Sequence, residues 1–592
     1  MTAHPAARPM AEHTFTTFDG TELFYRHWPA LEPETMHGAV VMFHRGHEHS
    51  GRMEHIVNEL GLADFDFFAW DARGHGRSPG KRGDAPGIAA SVRDVEAFIA
   101  HIGAEHGFQP EDIAVLAQSV GAVLAVTWVH DYAPRIRAMI LGSPAFSVKL
   151  YVPFARPAIA LWAKLRGNFF VNSYVKAKFL THDPERIASF NADPLITRAI
   201  SARILTGLYD DAERVVADAA AITTPTQLFI SGADWVVRHW PQHEFYNRLT
   251  CPHNERHVLP GFYHDTFGEK KRELAFAPMR DFIRRMFAMP PYVPDLTDAD
   301  RQGPSAQVYK WLESPLPLSS VKGLYFALVR HLLRLLGPLS EGVALGLKTG
   351  FNSGSTLDYV YRNRPAGVTA VGRFIDKQYL SGPGWSGIRV RKTHLEELLL
   401  LAAQRLRQEG TPVRIMDIAA GHGRYVFDAL AAMSAQGVEW ESALLRDYSP
   451  LNVEKGSRRV AESAFADKIG FVSGDAFDAE SLAAVSPRPT LAIVSGLYEL
   501  FPGNAPLRAS LRGLADALPA GGYLLYTNQP WHPQLEFIAR ALTSHRDGQN
   551  WVMRCRSQAE MDQLVSRAGF VKITQRVDAA GIFTVSLARR QA

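Results

Sequence analysis

Cysteine is almost missing: Cys251 and Cys555 are the only two in 592 residues, far apart and outside any metal-type spacing. That leaves no disulfide framework, predicts no metal site, and suits a reducing compartment. Long apolar runs are missing too. No stretch reaches the roughly 18 apolar residues that read as a membrane span. The nearest, LYVPFARPAIALWA and LEELLLLAAQRL, are broken by Arg, Pro or acidic residues. The N-terminal MTAHPAARPMAEHTF has no apolar h-region, so no secretory signal is expected and the predicted location is the cytoplasm. An excess of one charge is also lacking. Lys and Arg number 64 against 60 Asp and Glu, a net +4 that gives no electrostatic case for a nucleic-acid partner. Internal repeats and low-complexity tracts are absent as well.

What is present is the mix of a soluble globular protein, 46% apolar and 21% charged, long enough for several domains. HTFTTFDGTELFYRHW places two alternating runs around Asp19-Gly20 and predicts a hairpin. Short apolar strands follow, each ending in a polar or Gly-rich turn: GAVVMFHRGH, FDFFAWDARGHG, DIAVLAQSVG, IRAMILGSP, TQLFISGAD and RHVLPGFYHD. Helical stretches separate them, so the expected fold class is α/β with a mainly parallel, doubly wound sheet. Residues 146–220 interrupt the rhythm and are read as a helical cap over that sheet. The Pro- and Asp-rich AMPPYVPDLTDADRQGPSA reads as a linker. VKGLYFALVRHLLRLLGPL beyond it is an apolar helix carrying Lys322, Arg330, His331 and Arg334. It is read as a helix packed between domains, and its basic apolar character also allows peripheral contact with the inner face of a membrane. From about residue 412 the strand–helix alternation resumes.

Ala117-Gln118-Ser119-Val120-Gly121 follows a strand and precedes a helix, the setting of a G-x-S-x-G nucleophile elbow with Ala117 in place of the first glycine. A serine hydroxyl needs an adjacent base, the base needs an orienting carboxylate, and the oxyanion needs two donors. Asp234 and His264 appear downstream in that order, each where a late strand hands over to a loop. Ser119, His264 and Asp234 are therefore the candidate catalytic triad. Arg73 and His75 in DARGHG, and His44, read as turn and loop structure.

With HRGHEHSGR (44–52), DARGHGRS (71–78), AQSVG, SGADWVV and PGFYHD, the stretch 14–288 resembles the α/β-hydrolase superfamily. Within it the stretch is most similar to the monoacylglycerol lipase, lysophospholipase and serine aminopeptidase group. That resemblance implies oxyanion donors at the backbone N–H of Gly46 and Val120, a lid at the cap, and a small-molecule or lipid ester as substrate. In that group the loop reads H-G-x-G-E-H-S-G-R; here Arg45 and His47 stand for the two glycines.

VRIMDIAAGHGRY joins an apolar strand, a small-residue turn and a helix start, which suits a nucleotide-like ligand. Val426 stands where a dinucleotide fingerprint has its third glycine, which speaks against NAD or FAD. Asp447 ends the next strand and can accept from ribose hydroxyls; Asp475 and Ala476 follow a third strand and can meet an adenine edge. This succession, roughly 340–592, resembles a class I S-adenosylmethionine-dependent methyltransferase. The resemblance implies S-adenosylmethionine as cofactor, with Asp417 opening the motif and Ala419, Gly421 and Gly423 cradling the methionine end. Tyr498, Glu499, Asn528, Gln529 and Trp531 are the candidates nearest an acceptor, with Tyr498 and Glu499 positioning or deprotonating it or merely starting a helix. The resulting domain reading is hydrolase 1–288, linker 289–318, helical connecting region 319–408 and methyltransferase-like 409–592. The functional expectation is a serine ester hydrolase fused to a methyltransferase of unspecified acceptor. A hydrolase with a catalytically inactive methyltransferase-like domain stays open, as does the oligomeric state.

Overall fold

The computed structural model describes residues 8–35, 38–545 and 548–592. The chain divides into two compact units, Met1–Pro294 and Asp295–Ala592.

The first unit is built on an eight-stranded sheet in the order β1-β2-β4-β3-β5-β6-β9-β10. Its strands are β1 (Ala11–Thr16), β2 (Glu22–Trp28), β3 (Gly38–Phe43), β4 (Phe65–Trp70), β5 (Ile113–Gln118), β6 (Ala138–Gly142), β9 (Thr226–Ser231) and β10 (Glu255–Leu259); β7 (Phe170–Asn172) and β8 (Ala199–Ser201) form a separate ribbon. β1 and β2 form the hairpin expected at Asp19-Gly20. β2 runs antiparallel to β4, and every pairing from β4 to β10 is parallel. The central strands read GAVVMF, FDFFAW and IAVLAQ and are buried along their whole length. Near-continuous apolar strands are what a sheet covered on both faces requires. Between β6 and β9 the ribbon is joined by three helices, Ala155–Arg166, Pro184–Ala192 and Ala202–Ala217.

The second unit opens with helices, among them Pro304–Glu313 (inside the stretch read as linker), Val321–Leu336 and the 26-residue Pro383–Gln408. The basic apolar helix Val321–Leu336 buries Phe326, leaves Val321, Leu324, Leu328 and Leu335 exposed, and is tied to the helix Leu535–Ala541 by Arg330 Nη1 on Arg540 O at 2.8 Å. A seven-stranded sheet follows in the order β13-β12-β11-β14-β15-β17-β16. It comprises β11 (Arg414–Asp417), β12 (Ser442–Asp447), β13 (Ile469–Ser473), β14 (Leu491–Val494), β15 (Tyr523–Asn528), β16 (Phe570–Val577) and β17 (Thr584–Arg590). β17 is antiparallel to both neighbours and the rest are parallel. The order reverses between β11 and β14, which opens a crevice at the C-terminal strand ends.

A buried charge network fixes the loop after β14. Arg554 Nη2 donates to Glu560 Oε1 at 2.7 Å, and Arg554 and Arg556 both donate to Asn504 Oδ1 at 2.9 Å. Arg556 then donates to Tyr498 O at 2.7 Å and Gly503 O at 2.9 Å. Burial, reinforced by repulsion from Arg554, pushes the Arg556 pKa down to about 10. The Glu560 carboxylate stands between the two guanidinium groups, 2.7 Å from Arg554 and 4.0 Å from Arg556. Glu560→Leu strands both cations, and a destabilisation of about 3–5 kcal/mol is expected in denaturant unfolding of the whole chain. A change within about 1 kcal/mol would mean that the network does not hold this loop.

Candidate functional sites

Ser119 sits between β5 and the helix Val120–Tyr132 with φ 55° and ψ −115°, a backbone conformation L-residues seldom adopt. The sharp turn is possible because Gly121 has no side chain. A Cβ there would come within 2.5 Å of His44 O and 2.6 Å of Phe43 O. Gln118 Nε2 donates to His264 O at 3.0 Å, tying the turn to the loop after β10.

The three residues taken as a triad meet. Ser119 Oγ lies 2.8 Å from His264 Nε2, and His264 Nδ1 lies 2.8 Å from Asp234 Oδ2. Asp234 Oδ1 accepts from the N–H groups of Val236 at 2.7 Å and Val237 at 3.0 Å. Burial opposes the Asp234 charge, but His264 and these two donors outweigh it and hold its pKa below the ordinary carboxylate value. Gly46 and Val120 line the same cavity as Ser119 and His264, and a Cβ on Gly46 would stand 3.0 Å from Val120 Cγ2. The cavity has a volume of about 150 Å³, and its walls are apolar, with Leu124 and Val236 from the core fold and Leu180, Phe190, Ile204 and Leu208 from the segment between β6 and β9.

The two replaced glycines are accommodated differently. His47 takes the left-handed backbone itself, at φ 71°. Arg45 turns inward, donates to Glu48 at 2.9 and 2.5 Å, and lies 3.4 Å from Asp265. Arg186 of the helix Pro184–Ala192 bonds the same Asp265 carboxylate. The loop is therefore pinned by charge where the resembled pattern relies on small residues, and Asp265, next to His264, ties it to the helix above. His44 donates from Nδ1 to Arg45 O at 2.6 Å and accepts from Ala72 N at 3.1 Å. Arg73 is spent on Asp94 and Asp19.

In the second unit the loop after β11 is cradled by two carboxylates. Asp417 Oδ1 accepts from Ala419 N at 3.1 Å and its Oδ2 accepts from the Tyr425 hydroxyl. Asp447 Oδ2, at the end of β12, accepts from Gly421 N at 2.8 Å. Gly421 and Gly423 have φ of 59° and 70°; a Cβ at Gly423 would press on Leu445 and Phe427, whereas one at Gly421 would meet nothing within 4 Å. Gly474 N bonds Asp447 O at 3.1 Å, bringing the Asp475–Ala476 turn beside this loop. Asp475 accepts from Phe477 N at 2.9 Å, and the Ala476 side chain is buried in the core.

The acceptor candidates separate. Tyr498 is fully buried in the core and its hydroxyl donates to Ser510 Oγ at 2.9 Å, which leaves it no part in a site. Asn528 Nδ2 is held by Arg556 O at 3.0 Å. Glu499 and Gln529 instead line a cavity of about 380 Å³ at the C-terminal ends of β14 and β15. Arg391 and His532, which the sequence did not single out, line it too. Burial works against the Arg391 charge, and Tyr361 and Glu499 outweigh that effect and raise its pKa. Burial pushes the His532 pKa down to about 4, so its ring is neutral at pH 7.

These two folds and sites define an α/β-hydrolase joined to a methyltransferase-family domain. A family model described as "Putative methyltransferase" matches residues 279–590, more than half of the chain, and the chain belongs to that family. A second model, described as "Serine aminopeptidase, S33", matches residues 34–271. Uncharacterized protein YnbC of Escherichia coli (strain K12) is 57% identical over 586 residues, covering 99% of both chains. Monoacylglycerol lipase of Mycolicibacterium smegmatis is 28% identical over 278 residues, 46% of this chain and 96% of that one. Among solved structures, monoacylglycerol lipase of Paleococcus ferrophilus aligns with a TM-score of 0.40 at 21% identity, covering 47% of this chain and 99% of that one. No helix among the described residues is long and apolar enough to cross a membrane.

Asp417 generates a pH dependence. Burial raises its pKa to about 7, against the two hydrogen bonds it accepts and with a contribution from Asp447. An unfolded Asp loses its proton near pH 4. Between those values the folded chain holds a proton that the unfolded chain has lost, so stability falls as pH rises from about 4 to about 7. Asp417→Asn is expected to flatten that decline in melting curves recorded across the interval; an identical decline in the variant would assign it elsewhere.

Proposed function

We propose that the chain is a bifunctional enzyme: a serine hydrolase of lipid-like acyl esters in the first unit, and an S-adenosylmethionine-dependent methyltransferase in the second. The observation that carries the first half is the unbroken Ser119–His264–Asp234 chain on the floor of an apolar cleft. Ser119 Oγ attacks the acyl carbonyl as His264 Nε2 takes its proton. Asp234, ionised and held by two N–H groups, fixes the imidazole and balances the charge it gains. The oxyanion faces the N–H groups of Gly46 and Val120. His264 returns the proton to the leaving alcohol; water, activated by the same imidazole, then frees the acid. Lipid character is supported by the apolar walls and by the name of the Mycolicibacterium relative.

For the second half, Asp417 and Asp447 flank a loop with open space above Gly421, and His422 Nε2 is buried without a hydrogen-bond partner among the described residues. A cationic, hydroxyl-bearing cofactor suits that donor and acceptor set. Asp417 would face the methionine end and Asp447 the ribose hydroxyls, with Asp475 and Ala476 beside the adenine. The cofactor, when bound, supplies an activated methyl group.

Treating the full-length protein with a fluorophosphonate should give one adduct by intact mass, and none on Ser119→Ala. Monoacylglycerol or lysophospholipid hydrolysis should fall by roughly 10³-fold or more in that variant. Cleavage of short esters alone would refute the lipid assignment.

Titration of the same protein with S-adenosylmethionine should show binding that tightens as pH rises toward about 7, because a cationic ligand favours ionised Asp417. No binding at high micromolar cofactor would leave a hydrolase with a non-catalytic second domain.

A further inference from the structure

The cavity of about 380 Å³ in the second unit is apolar over most of its wall, with Phe351, Trp385, Phe537, Trp551 and Phe583 around it. At its polar end stand Arg391 and Glu499, only 4% and 7% exposed. Their nearest approach is 3.6 Å, between Nη1 and Oε1. Glu499 Oε1 accepts from Thr527 Oγ1 at 2.6 Å, whereas Glu499 Oε2 and Arg391 Nε are buried with no hydrogen-bond partner among the described residues. Buried polar atoms are almost always satisfied, so an unpaired donor and acceptor on two residues that line one cavity mark contact points for a ligand. The place is apt for transfer chemistry. A Cβ at Gly496, which follows β14, would stand 3.1 Å from Arg391 Nη2, and Arg391 interacts electrostatically with Tyr425, whose hydroxyl bonds Asp417.

The charges at this end cancel, and that selects the ligand. A carboxylate would face Glu499 as a like charge, and an ammonium would face Arg391. A thiol is a weak donor and a weak acceptor. A neutral hydroxyl does both tasks at once, accepting from Arg391 Nε and donating to Glu499 Oε2. We propose that this cavity is the acceptor site and takes a neutral hydroxyl compound with an apolar body, an alcohol or a phenol, with Glu499 as the general base for O-methylation. This rests on the reading of the second unit as S-adenosylmethionine-dependent. In the step, the hydroxyl oxygen bonds to the methyl carbon as the carbon–sulfur bond breaks. The electron pair stays on sulfur, which becomes a neutral thioether. The hydroxyl proton passes to Glu499. Arg391 orients the oxygen.

The test uses the full-length protein and matched probes: 1-naphthol, 1-naphthoic acid and 1-naphthylmethylamine, with decanol, decanoic acid and decylamine as the aliphatic set. Binding is read first, by calorimetry and by quenching of tryptophan fluorescence, since Trp385 and Trp551 line the cavity. A hydroxyl probe should bind, its acid and amine counterparts should bind at least about 10-fold more weakly, and Arg391→Met should weaken the hydroxyl probe by a similar factor. Transfer is read second, by mass spectrometry of products formed with isotope-labelled S-adenosylmethionine. Only hydroxyl probes should gain a methyl group. Glu499→Gln should lower kcat by about 10²-fold or more, with cofactor binding unchanged. Failure of the wild type to bind S-adenosylmethionine defeats the underlying reading. With the cofactor bound, the proposal is overturned by preferential binding or methylation of an acid or amine, by no binding or methylation of either hydroxyl probe, or by full activity of Glu499→Gln.

Discussion

A parallel sheet covered on both faces has no room for reactive groups inside it, and that constraint governs both units. The strands that carry the fold, GAVVMF and IAVLAQ in one sheet and the interior of β14 and β15 in the other, are sealed from water. Polar chemistry can appear only where a strand ends and its backbone turns toward the next helix. Ser119, Asp234 and His264 follow three different strands; Asp417 and Asp447 are the last residues of two others, and Glu499 follows a third. Residues remote in sequence meet because their strands end at the same edge.

At that edge a lone charge is costly, and the protein answers by pairing. Asp234 is ionised because His264 and two N–H groups face it. Arg45 is tolerated in the loop after β3 because Glu48 and Asp265 face it, and Arg186 shares Asp265 from above. In the second unit Glu560 lies between Arg554 and Arg556, and that cluster grips the backbone of the loop bearing Glu499. These networks carry specificity of shape more than net stability, since they hold loops in place that the apolar core does not reach.

The parts that were legible in the sequence are those set by local pattern. Alternation around Asp19-Gly20 gave a hairpin because two strands of that kind need only a tight turn between them. Small residues around Ser119 and in the 417–423 loop signalled close backbone approach, and the Cβ positions at Gly121 and Gly423 bear that out. Arg391 carried no such signal. It lies in RVRKTHLEELL, where an arginine looks like the solvated face of a helix, and its burial involves packing beside Gly496 and Glu499, far along the chain. Tyr498 and Glu499 are adjacent and looked equivalent. The short helical turn at residues 498–500 sends one into the core and the other to the cavity, a division that no composition argument can make. The helix at Pro304–Glu313 was hidden by the prolines and aspartates before it; Pro304 stands at its first turn, where a missing N–H costs nothing.

The two cavities share one electrostatic design and differ in where the polar groups stand. In the first, Asp234 lies behind His264, so in the proposed hydrolysis it balances the charge the imidazole gains when it takes a proton. In the second, Arg391 and Glu499 are balanced before anything binds, because guanidinium and carboxylate stand side by side. On the proposed reading, the first arrangement therefore favours a charge that develops during reaction on a neutral ester. The second favours a group neutral on arrival that can both give and accept a hydrogen bond. Apolar walls enforce both choices, since neither cavity offers a charged ligand the solvation it would leave behind in water.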